Sequence, residues 1–297
     1  MTAHPLIFDR PQVRRMQTRA SAKIHDHNFL IDWNLRHLIE RLGDIKRTYP
    51  TVLLIGGRHS PEVEEELIQA GDVKTLVVSD PSDAFRPTLC MDEEHLPFKT
   101  GIFDLILSPF SLHYVNDVPG ALIQMRQALK PDGLMLAAFP GGESLIELRQ
   151  SFMKAEIEHR NGARLRVHPF IDKQQAAGLM QRGQYALPVV DSERVVVTYD
   201  NAFRLMQDLR YMGETNSLHL RDRSLTGKNL MLAVAKAYAA DFGEPDGQIR
   251  ATFEMIFLSG WSPHSSQQQP LRPGSAQSRL AAALGTEEIG TGEIANS

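Results

Sequence analysis

Two adjacent glycines and one aspartate have the spacing of a nucleoside-binding site. Gly56 and Gly57 end an apolar run that begins at Thr51, and Asp80 ends the next apolar run, 24 residues after Gly56. The segment between the two runs has a helical pattern. Such a strand–turn–helix–strand unit brings the glycine turn close to a ligand and places the acid at the hydroxyl groups of a ribose. The sequence therefore predicts an adenosine-type ligand, although an ordinary βαβ turn without a ligand has the same pattern.

The turn is not typical of a dinucleotide site. The G-x-G-x-x-G spacing is absent, and the helix after the turn opens with Pro61 and carries four early glutamates: Glu62, Glu64, Glu65 and Glu66. Phosphates bind well at the bare amides and positive dipole of a helix N-terminus, and these carboxylates would oppose them. S-adenosylmethionine, whose sulfonium is cationic, fits this field better than NAD.

Further polar residues follow the third and fourth predicted strands. Asp92 and Glu93 come directly after the third, where a carboxylate can accept a hydrogen bond from the amino group of adenine. The fourth strand ends close to Ser108, and its following loop holds three catalytic candidates: His113, Tyr114 and Asn116. Open α/β sheets bind ligands at the carboxyl ends of their strands. A solvated acidic loop and a packed histidine are the alternative interpretations.

The elements that must position these residues are short strands that alternate with helices. Five near-continuous apolar runs predict buried strands at 52–55, 76–78, 89–91, 103–107 and 134–138. Such runs are typical of a parallel sheet that is covered on both faces. The second half predicts helices at 143–158, 172–182, 201–212 and 225–242, a strand pair at 187–199 around Asp191-Ser192, and a last strand at 251–261. The pattern indicates a doubly wound, Rossmann-like α/β fold.

Composition excludes several functional classes. A net charge of -4 and a pI of about 6.3 argue against a nucleic-acid binder. The single cysteine, Cys90, rules out an internal disulfide. The longest apolar run, 134–139, is far shorter than the ~20 residues of a membrane span. The sequence predicts no metal site, because His25-Asp26-His27 fits no familiar zinc spacing.

The chain is predicted to have three parts. Residues 1–27 form a solvated basic arm, since residues 1–25 hold five basic residues and one acid; an organelle transit peptide is the alternative. Residues 28–262 form the domain. Residues 263–297, rich in Pro, Ser and Gln, form a largely disordered tail.

Several segments carry a resemblance to a known family. The glycine turn, Asp80, MDEEHLPF, FDLILSPFSLHYVND and LKPDG together resemble the class I S-adenosylmethionine-dependent methyltransferases. LIFDRPQVRRMQTRA, PGGESLIELRQSF, FRLMQDLRYMGETN and ATFEMIFLSGWSPHSSQQQPLRPGSA are similar to one subgroup, the arginine-hydroxylase type assembly factors of respiratory complex I. The resemblance covers residues 6–276. The nearest relatives outside the subgroup are O-methyltransferases that act on a malonyl carrier protein.

The resemblance implies a seven-stranded sheet with inserted C-terminal helices, and an enzyme that acts on an arginine of a complex I subunit in a bacterial cytoplasm, or in the mitochondrial matrix for a eukaryotic chain. It implies that five residues bind S-adenosylmethionine: Gly56, Gly57, Asp80, Asp92 and Ser108. Three residues beside them are further predicted cofactor contacts: Arg58, Pro81 and Glu93. Paired carboxylates suit a guanidinium, so the predicted partners of the substrate arginine are Glu143, Glu147 and Glu214. Hydroxylation would also need an oxidant, and the sequence shows no ligand set for a metal that could supply one.

Two departures from the family pattern leave alternatives open. Leu54 stands where the family has an acid before the turn, and Ser60 stands where the turn closes on a glycine. Losing one charged hydrogen bond, worth ~1.5–3 kcal/mol, would weaken cofactor binding roughly tenfold to a hundredfold. A non-catalytic assembly chaperone would bind no cofactor for this reason. A carboxyl O-methyltransferase would instead need a basic pocket, for which four arginines are available: Arg204, Arg210, Arg221 and Arg223.

Overall fold

A computed structural model describes residues 6–160, 162–268 and 285–286. The chain divides into two compact units, Met1–Pro263 and His264–Ser297. Most of the predicted tail, residues 269–284 and 287–297, lies outside the described residues. The helices of the first unit are α1 Arg10–Ala20, α2 Phe29–Gly43, α3 Pro61–Gly71, α4 Val118–Ala128, α5 Ile146–Arg160, α6 Lys173–Arg182, α7 Ala202–Met212 and α8 Lys228–Phe242. Its strands are β1 Thr51–Ile55, β2 Thr75–Asp80, β3 Leu89–Cys90, β4 Phe103–Pro109, β5 Leu129–Pro140, β6 Ala186–Tyr199 and β7 Ile249–Trp261.

The seven strands form one sheet in the order β3-β2-β1-β4-β5-β7-β6. Strands β1 to β5 pair in parallel, and β7 runs antiparallel between β5 and β6. The predicted mostly parallel, seven-stranded sheet is therefore confirmed. The strand order reverses between β1 and β4. Open α/β sheets bind ligands in the crevice that such a reversal creates at the carboxyl ends of the strands.

Alternate residues of the central strands face two different helical layers. On β1, Val52 and Leu54 belong to one apolar core with α2 and α3, whereas Leu53 and Ile55 belong to a second core with α4 and α6. Side chains alternate across a strand, so a continuous apolar run serves both layers. All four of these side chains are buried.

The segment predicted to be a solvated basic arm is folded instead. Helix α1 begins after Asp9, whose side chain accepts a hydrogen bond from the Gln12 amide (3.0 Å). Three of its apolar side chains are buried: Val13, Met16 and Ala20. Its arginines alternate with these positions, because the helix has one buried stripe and one exposed face. The first unit thus includes residues that the charge count alone assigns to solvent.

The second half differs from the sequence prediction in one element. Residues 186–199 form a single strand and not a strand pair, and Asp191 and Ser192 remain in register with Phe257 and Ile256 of β7. Strand β6 lies at the edge of the sheet, where polar residues face solvent without breaking the ladder. Among the described residues, no helix has both the length and the apolar character that crossing a membrane requires.

Candidate functional site

The turn after β1 is held directly against Asp80. Gly56 has a φ of +110°, and a side chain at that position would meet the carbonyl oxygen of Pro109 at 3.3 Å, so only glycine fits. The Gly57 amide donates to Oδ2 of Asp80 (3.0 Å), and the Ser82 amide donates to its Oδ1 (2.8 Å). The predicted ribose acid therefore lies beside the predicted glycine turn.

The Asp80 carboxylate retains capacity for a ligand. Its side chain is buried, and burial raises its pKa, while Arg58 and the two amides oppose that shift. Each carboxylate oxygen accepts one hydrogen bond from the described residues, and an ionised carboxylate has about four acceptor sites. The adjoining Pro81 is partly buried at the end of β2.

Leu54 and Ser60, the two positions that depart from the family pattern, both make contacts within the protein. Leu54 is fully buried in the core beside α2 and α3. The Ser60 amide donates to Asp32 of α2 (2.8 Å), and the Ser60 hydroxyl also bonds to this carboxylate. Ser60 precedes the first residue of α3, so Asp32 satisfies a helix N-terminus that has a positive dipole. Sequence reasoning missed Asp32, because it precedes Ser60 by 28 residues.

Arg58 is directed to other protein groups and not left free for a ligand. Its side chain is buried, Nη1 donates to Glu214 (2.8 Å) and to the Met212 carbonyl (3.0 Å), and Nη2 donates to the Phe110 carbonyl (2.7 Å). These contacts use three of the five N–H donors of a guanidinium. The sequence predicts a cofactor contact for Arg58, whereas the structure places this side chain in the protein core.

Glu214 collects three of the predicted residues into one buried cluster. His113 Nε2 lies 2.9 Å from its Oε2, the Tyr114 hydroxyl donates to the same oxygen, and Arg58 holds the other oxygen. Burial alone would raise the pKa of Glu214, but His113, Arg58 and Tyr114 bring it to about 2. Burial and Glu214 hold the pKa of Tyr114 well above its usual value. Tyr114 therefore remains a hydrogen-bond donor at neutral pH and is not a base.

His168 is a neighbouring residue that the sequence analysis missed. Burial, with a smaller contribution from His113, lowers its pKa to about 4. The Ser217 amide donates to His168 Nε2 (3.0 Å), so the neutral ring carries its proton on Nδ1. His113 Nδ1 is buried and has no hydrogen-bond partner among the residues that the structure describes. The two rings flank Phe170, whose ring centroid lies 6.4 Å from that of His113 and 6.3 Å from that of His168.

Asn116 and Ser108, two further predicted site residues, bond within the protein. Asn116 Oδ1 accepts from the amides of Ile7 (2.9 Å) and Phe8 (2.8 Å), so this side chain fixes the N-terminal segment. Asn116 therefore has a structural role, and its catalytic role stays a prediction. Ser108 is buried, and its hydroxyl bonds to that of Ser111 (2.7 Å).

The two predicted adenine-side acids are bound by an arginine from α1. Arg10 Nη2 lies 2.8 Å from Asp92 Oδ1, Arg10 Nε lies 3.2 Å from Oδ2, and Nη2 also bonds to Glu93. The side chain of Asp92 is 37% exposed, whereas that of Glu93 is 4% exposed. Burial raises the pKa of Glu93, and Arg10 opposes that shift. No local sequence pattern links Arg10 to acids that lie 82 residues away.

The three carboxylates predicted to grip a substrate guanidinium do not converge. Glu143 bonds to Arg194 at the surface. Glu147 is buried and accepts from the Thr252 amide (3.1 Å) and hydroxyl. Of these three carboxylates, only Glu214 lines a cavity at the carboxyl ends of β4 and β5. The predicted three-acid grip is therefore wrong for Glu143 and Glu147, because the first ion-pairs on the surface and the second is satisfied by β7.

A cavity of about 860 Å³ opens at the carboxyl ends of β4 and β5, where Phe110 and Pro140 line it. Aromatic rings form much of its wall: Phe110, Phe152, His168, Phe170 and Phe253. Five arginines also line it: Arg15, Arg166, Arg210, Arg221 and Arg223. Glu214 belongs to this lining and to the buried cluster with Arg58, so it joins the cavity to the glycine turn. Among the described residues, no group of three or more His, Cys, Asp or Glu is arranged to hold a metal ion.

Comparison with known proteins identifies this architecture. A family model described as a methyltransferase domain matches residues 30–187. Phosphoethanolamine N-methyltransferase 2 of Haemonchus contortus, solved in complex with S-adenosyl-L-methionine, has a similar fold with a TM-score of 0.50 at 15% identity; the match covers 85% of this chain and 60% of that one. The chain is a methyltransferase-domain protein with the class I methyltransferase fold.

Closer relatives narrow this class to one family. The arginine-hydroxylase NDUFAF5 of Danio rerio is 36% identical over 93% of this chain and 88% of its own length. The human protein of that name is 35% identical over 91% and 81%. A malonyl-[acyl-carrier protein] O-methyltransferase of Xylella fastidiosa (strain M23) is 30% identical over 87% and 90%. The chain belongs to the family of the arginine-hydroxylase NDUFAF5 proteins.

Proposed function

We propose that this chain is an S-adenosylmethionine-binding enzyme that modifies an arginine of a partner protein during assembly of respiratory complex I. The names of its relatives motivate the substrate class. The observation that carries the proposal is the cavity at the carboxyl ends of β4 and β5, which has aromatic walls and an ionised carboxylate, Glu214, in its lining. Its setting is a bacterial cytoplasm, or the mitochondrial matrix for a eukaryotic chain.

The residues around the glycine turn fit the nucleoside part of the cofactor. Gly56 allows a close approach of the backbone, and the buried Asp80 carboxylate has unused acceptor sites for ribose hydroxyls. Asp92 keeps an exposed fraction on the adenine side. When bound, the cofactor supplies a methyl carbon that its sulfonium makes electrophilic.

The cavity suits a long, cationic side chain. Faces of Phe110, His168 and Phe170 can stack on a guanidinium, which is planar and weakly hydrated. Among the described residues, Oε1 of Glu214 accepts only from Arg58, so one acceptor site remains on it, and the pKa of about 2 keeps Glu214 ionised at physiological pH. Aromatic walls also exclude water from the reacting group, and positioning of this kind accelerates a transfer reaction.

Two measurements test this proposal. Calorimetry of the full chain with S-adenosylmethionine is expected to show one binding site. Mass spectrometry of complex I subunits from a deletion strain is expected to show an arginine that lacks a modification present in the parent strain, and complementation should restore it. Glu214→Gln, once circular dichroism shows that it is folded, should fail to restore it, whereas Glu158→Gln, on the exposed face of α5, should succeed. An unchanged spectrum in the deletion strain would contradict the proposal.

A second candidate function is methyl transfer to a carboxylate, as in the name of the malonyl-carrier relatives. The observation that favours it is the set of cavity arginines. Arg15, Arg210 and Arg223 line the cavity, and within the described part of the chain none of their guanidinium groups has a hydrogen-bond or ion-pair partner. Cationic groups of this kind suit an acidic substrate.

The two candidates differ in their acceptor. Incubation with labelled S-adenosylmethionine and a malonyl-carrier protein should transfer the methyl group only if the second candidate is right, and Arg210→Gln should then lower the rate. The non-catalytic chaperone predicts no heat with S-adenosylmethionine, and a calorimetric titration without binding would favour it.

A further inference from the structure

The N-terminal helix α1 reaches both loops that the proposed function assigns to the nucleoside. Arg10, at its first position, holds Asp92 and Glu93 on the loop after β3. Thr18, two turns further on, hydrogen-bonds through its hydroxyl to that of Ser82 on the loop after β2 (2.8 Å). Eight residues of helix span ~12 Å, so one rigid element connects the adenine-side acids with the loop that follows Asp80.

Arg10 is fixed on all sides by contacts that orient it. Its side chain is 13% exposed, and besides the two acids it donates to the Tyr114 carbonyl (3.1 Å). Glu94 lies 3.9 Å away. Asp92 and Glu93 raise the pKa of the guanidinium despite its burial, so it stays charged. A single cation therefore bridges two consecutive carboxylates, Asp92 and Glu93, and reduces their mutual repulsion.

The way in which Arg10 grips Asp92 leaves one side of that carboxylate available. Oδ1 of Asp92 accepts from Arg10 and from the Glu94 amide (3.0 Å), whereas Oδ2 accepts only from Arg10 Nε within the part of the chain that the structure describes. An ionised carboxylate oxygen has about two acceptor sites. The remaining acceptor site on Oδ2 suits an N–H donor such as the amino group of adenine.

We infer that Arg10 is a positioning residue for the cofactor: it orients Asp92 so that its free Oδ2 site accepts the adenine amino group and gives the site its preference for adenine. The inference rests on the proposed function, because it takes S-adenosylmethionine as the ligand. It adds a residue from the N-terminal helix to a site that the strand-end loops would otherwise form alone.

The test compares two ligands that differ at the base. S-adenosylhomocysteine has an amino group that donates to Asp92, whereas S-inosylhomocysteine has a carbonyl oxygen there and would face the carboxylate with an acceptor. Sites that hydrogen-bond a ligand group discriminate strongly against an analogue without it. By calorimetry, the native chain should prefer the adenine ligand at least about tenfold, as one charged hydrogen bond implies. Asp92→Asn should lose most of this preference.

Arg10→Gln should reduce the preference to less than about threefold, because Asp92 is no longer oriented. Arg10→Lys keeps the charge without the two-pronged contact and should also lose preference, so it serves where Arg10→Gln fails to fold. The matched control is Arg14→Gln, an exposed position on the same helix, which should behave as the native chain. Equal weakening of both ligands by the Arg10 variants would show a merely structural role and overturn the inference. A native chain that binds neither ligand would overturn the proposed function, and the inference with it.

Discussion

The glycine turn and the Glu214 cluster lie side by side but are stabilised in different ways. At the turn, the carboxylate of Asp80 is held by two backbone amides, from Gly57 and Ser82. In the cluster, Glu214 is held by side chains from distant parts of the chain. Substituting Gly57 or Ser82 leaves the backbone amide in place, whereas substituting Arg58 removes its ion pair with Glu214. Substitutions in the cluster should therefore affect folding, and substitutions at the turn should affect ligand binding.

The largest effect is expected for Arg58→Met. Removing one partner of a buried ion pair leaves the other charge uncompensated, so the free energy of unfolding should fall by ~3–5 kcal/mol. Urea denaturation measures this change. Arg36→Met, which breaks the exposed pair with Glu66, should change it by less than ~1 kcal/mol. The double variant Arg58→Met/Glu214→Gln should recover part of the loss; equal effects of the two arginine variants would remove the contrast between buried and exposed pairs.

His168 should give the cluster side a pH dependence of stability. Its folded pKa of about 4 lies below the usual value of 6.5, so the unfolded chain binds the proton more readily in that interval. Stability should therefore fall as the pH drops from 6.5 to 4, by up to about 3 kcal/mol. Denaturation at several pH values should show a flatter profile for His168→Gln. The exposed His95→Gln should keep the native slope, and an unchanged slope in His168→Gln would contradict the assignment.

At the turn, Asp80→Asn should act on the ligand. Losing the anionic acceptor of the ribose hydroxyls should weaken S-adenosylmethionine binding about tenfold to a hundredfold, which corresponds to ~1.5–3 kcal/mol. Calorimetry measures the dissociation constant. Asp83→Asn, three residues away and exposed, should bind as the native chain does. Unchanged affinity in Asp80→Asn would remove the ribose role.

The smallest effect is expected for Glu143→Gln. Glu143 pairs with Arg194 where both side chains are half exposed, and such pairs contribute ~0–1 kcal/mol. Neither the stability nor the modification of the partner protein should change measurably. A loss of modification in the complementation assay would return Glu143 to the site.

Sequence reasoning was most successful where the relevant residues are close in the chain. The turn, Asp80 and the parallel strands follow from apolar periodicity within short segments, because each strand must present both faces to helices. Arg10 and His168 escaped it, since their partners lie 82 and 49 residues away. The edge position of β6 also escaped it: Asp191 and Ser192 suggested a turn, although polar residues are tolerated on an exposed edge.

The cluster further shows that residue type alone does not determine the contacts of a side chain. His113, Tyr114 and Asn116 are neighbours on one loop, and all three are common catalytic types. The structure directs two of them to Glu214, and the third to the amides of Ile7 and Phe8. The partner of each side chain depends on the segments that pack against the loop. Those segments are distant in sequence, so the residues of the loop do not predict them.

The antiparallel insertion of β7 has a consequence for synthesis of the protein. Strand β6 pairs only with β7 in the described sheet, and β7 also covers the open side of β5. During synthesis on the ribosome, β5 and β6 therefore have unpaired backbone N–H and C=O groups until residues 249–261 emerge. Nascent chains halted before that point expose the unpaired edges of β5 and β6, which favour aggregation. Chaperone binding should therefore be strongest just before β7 leaves the exit tunnel.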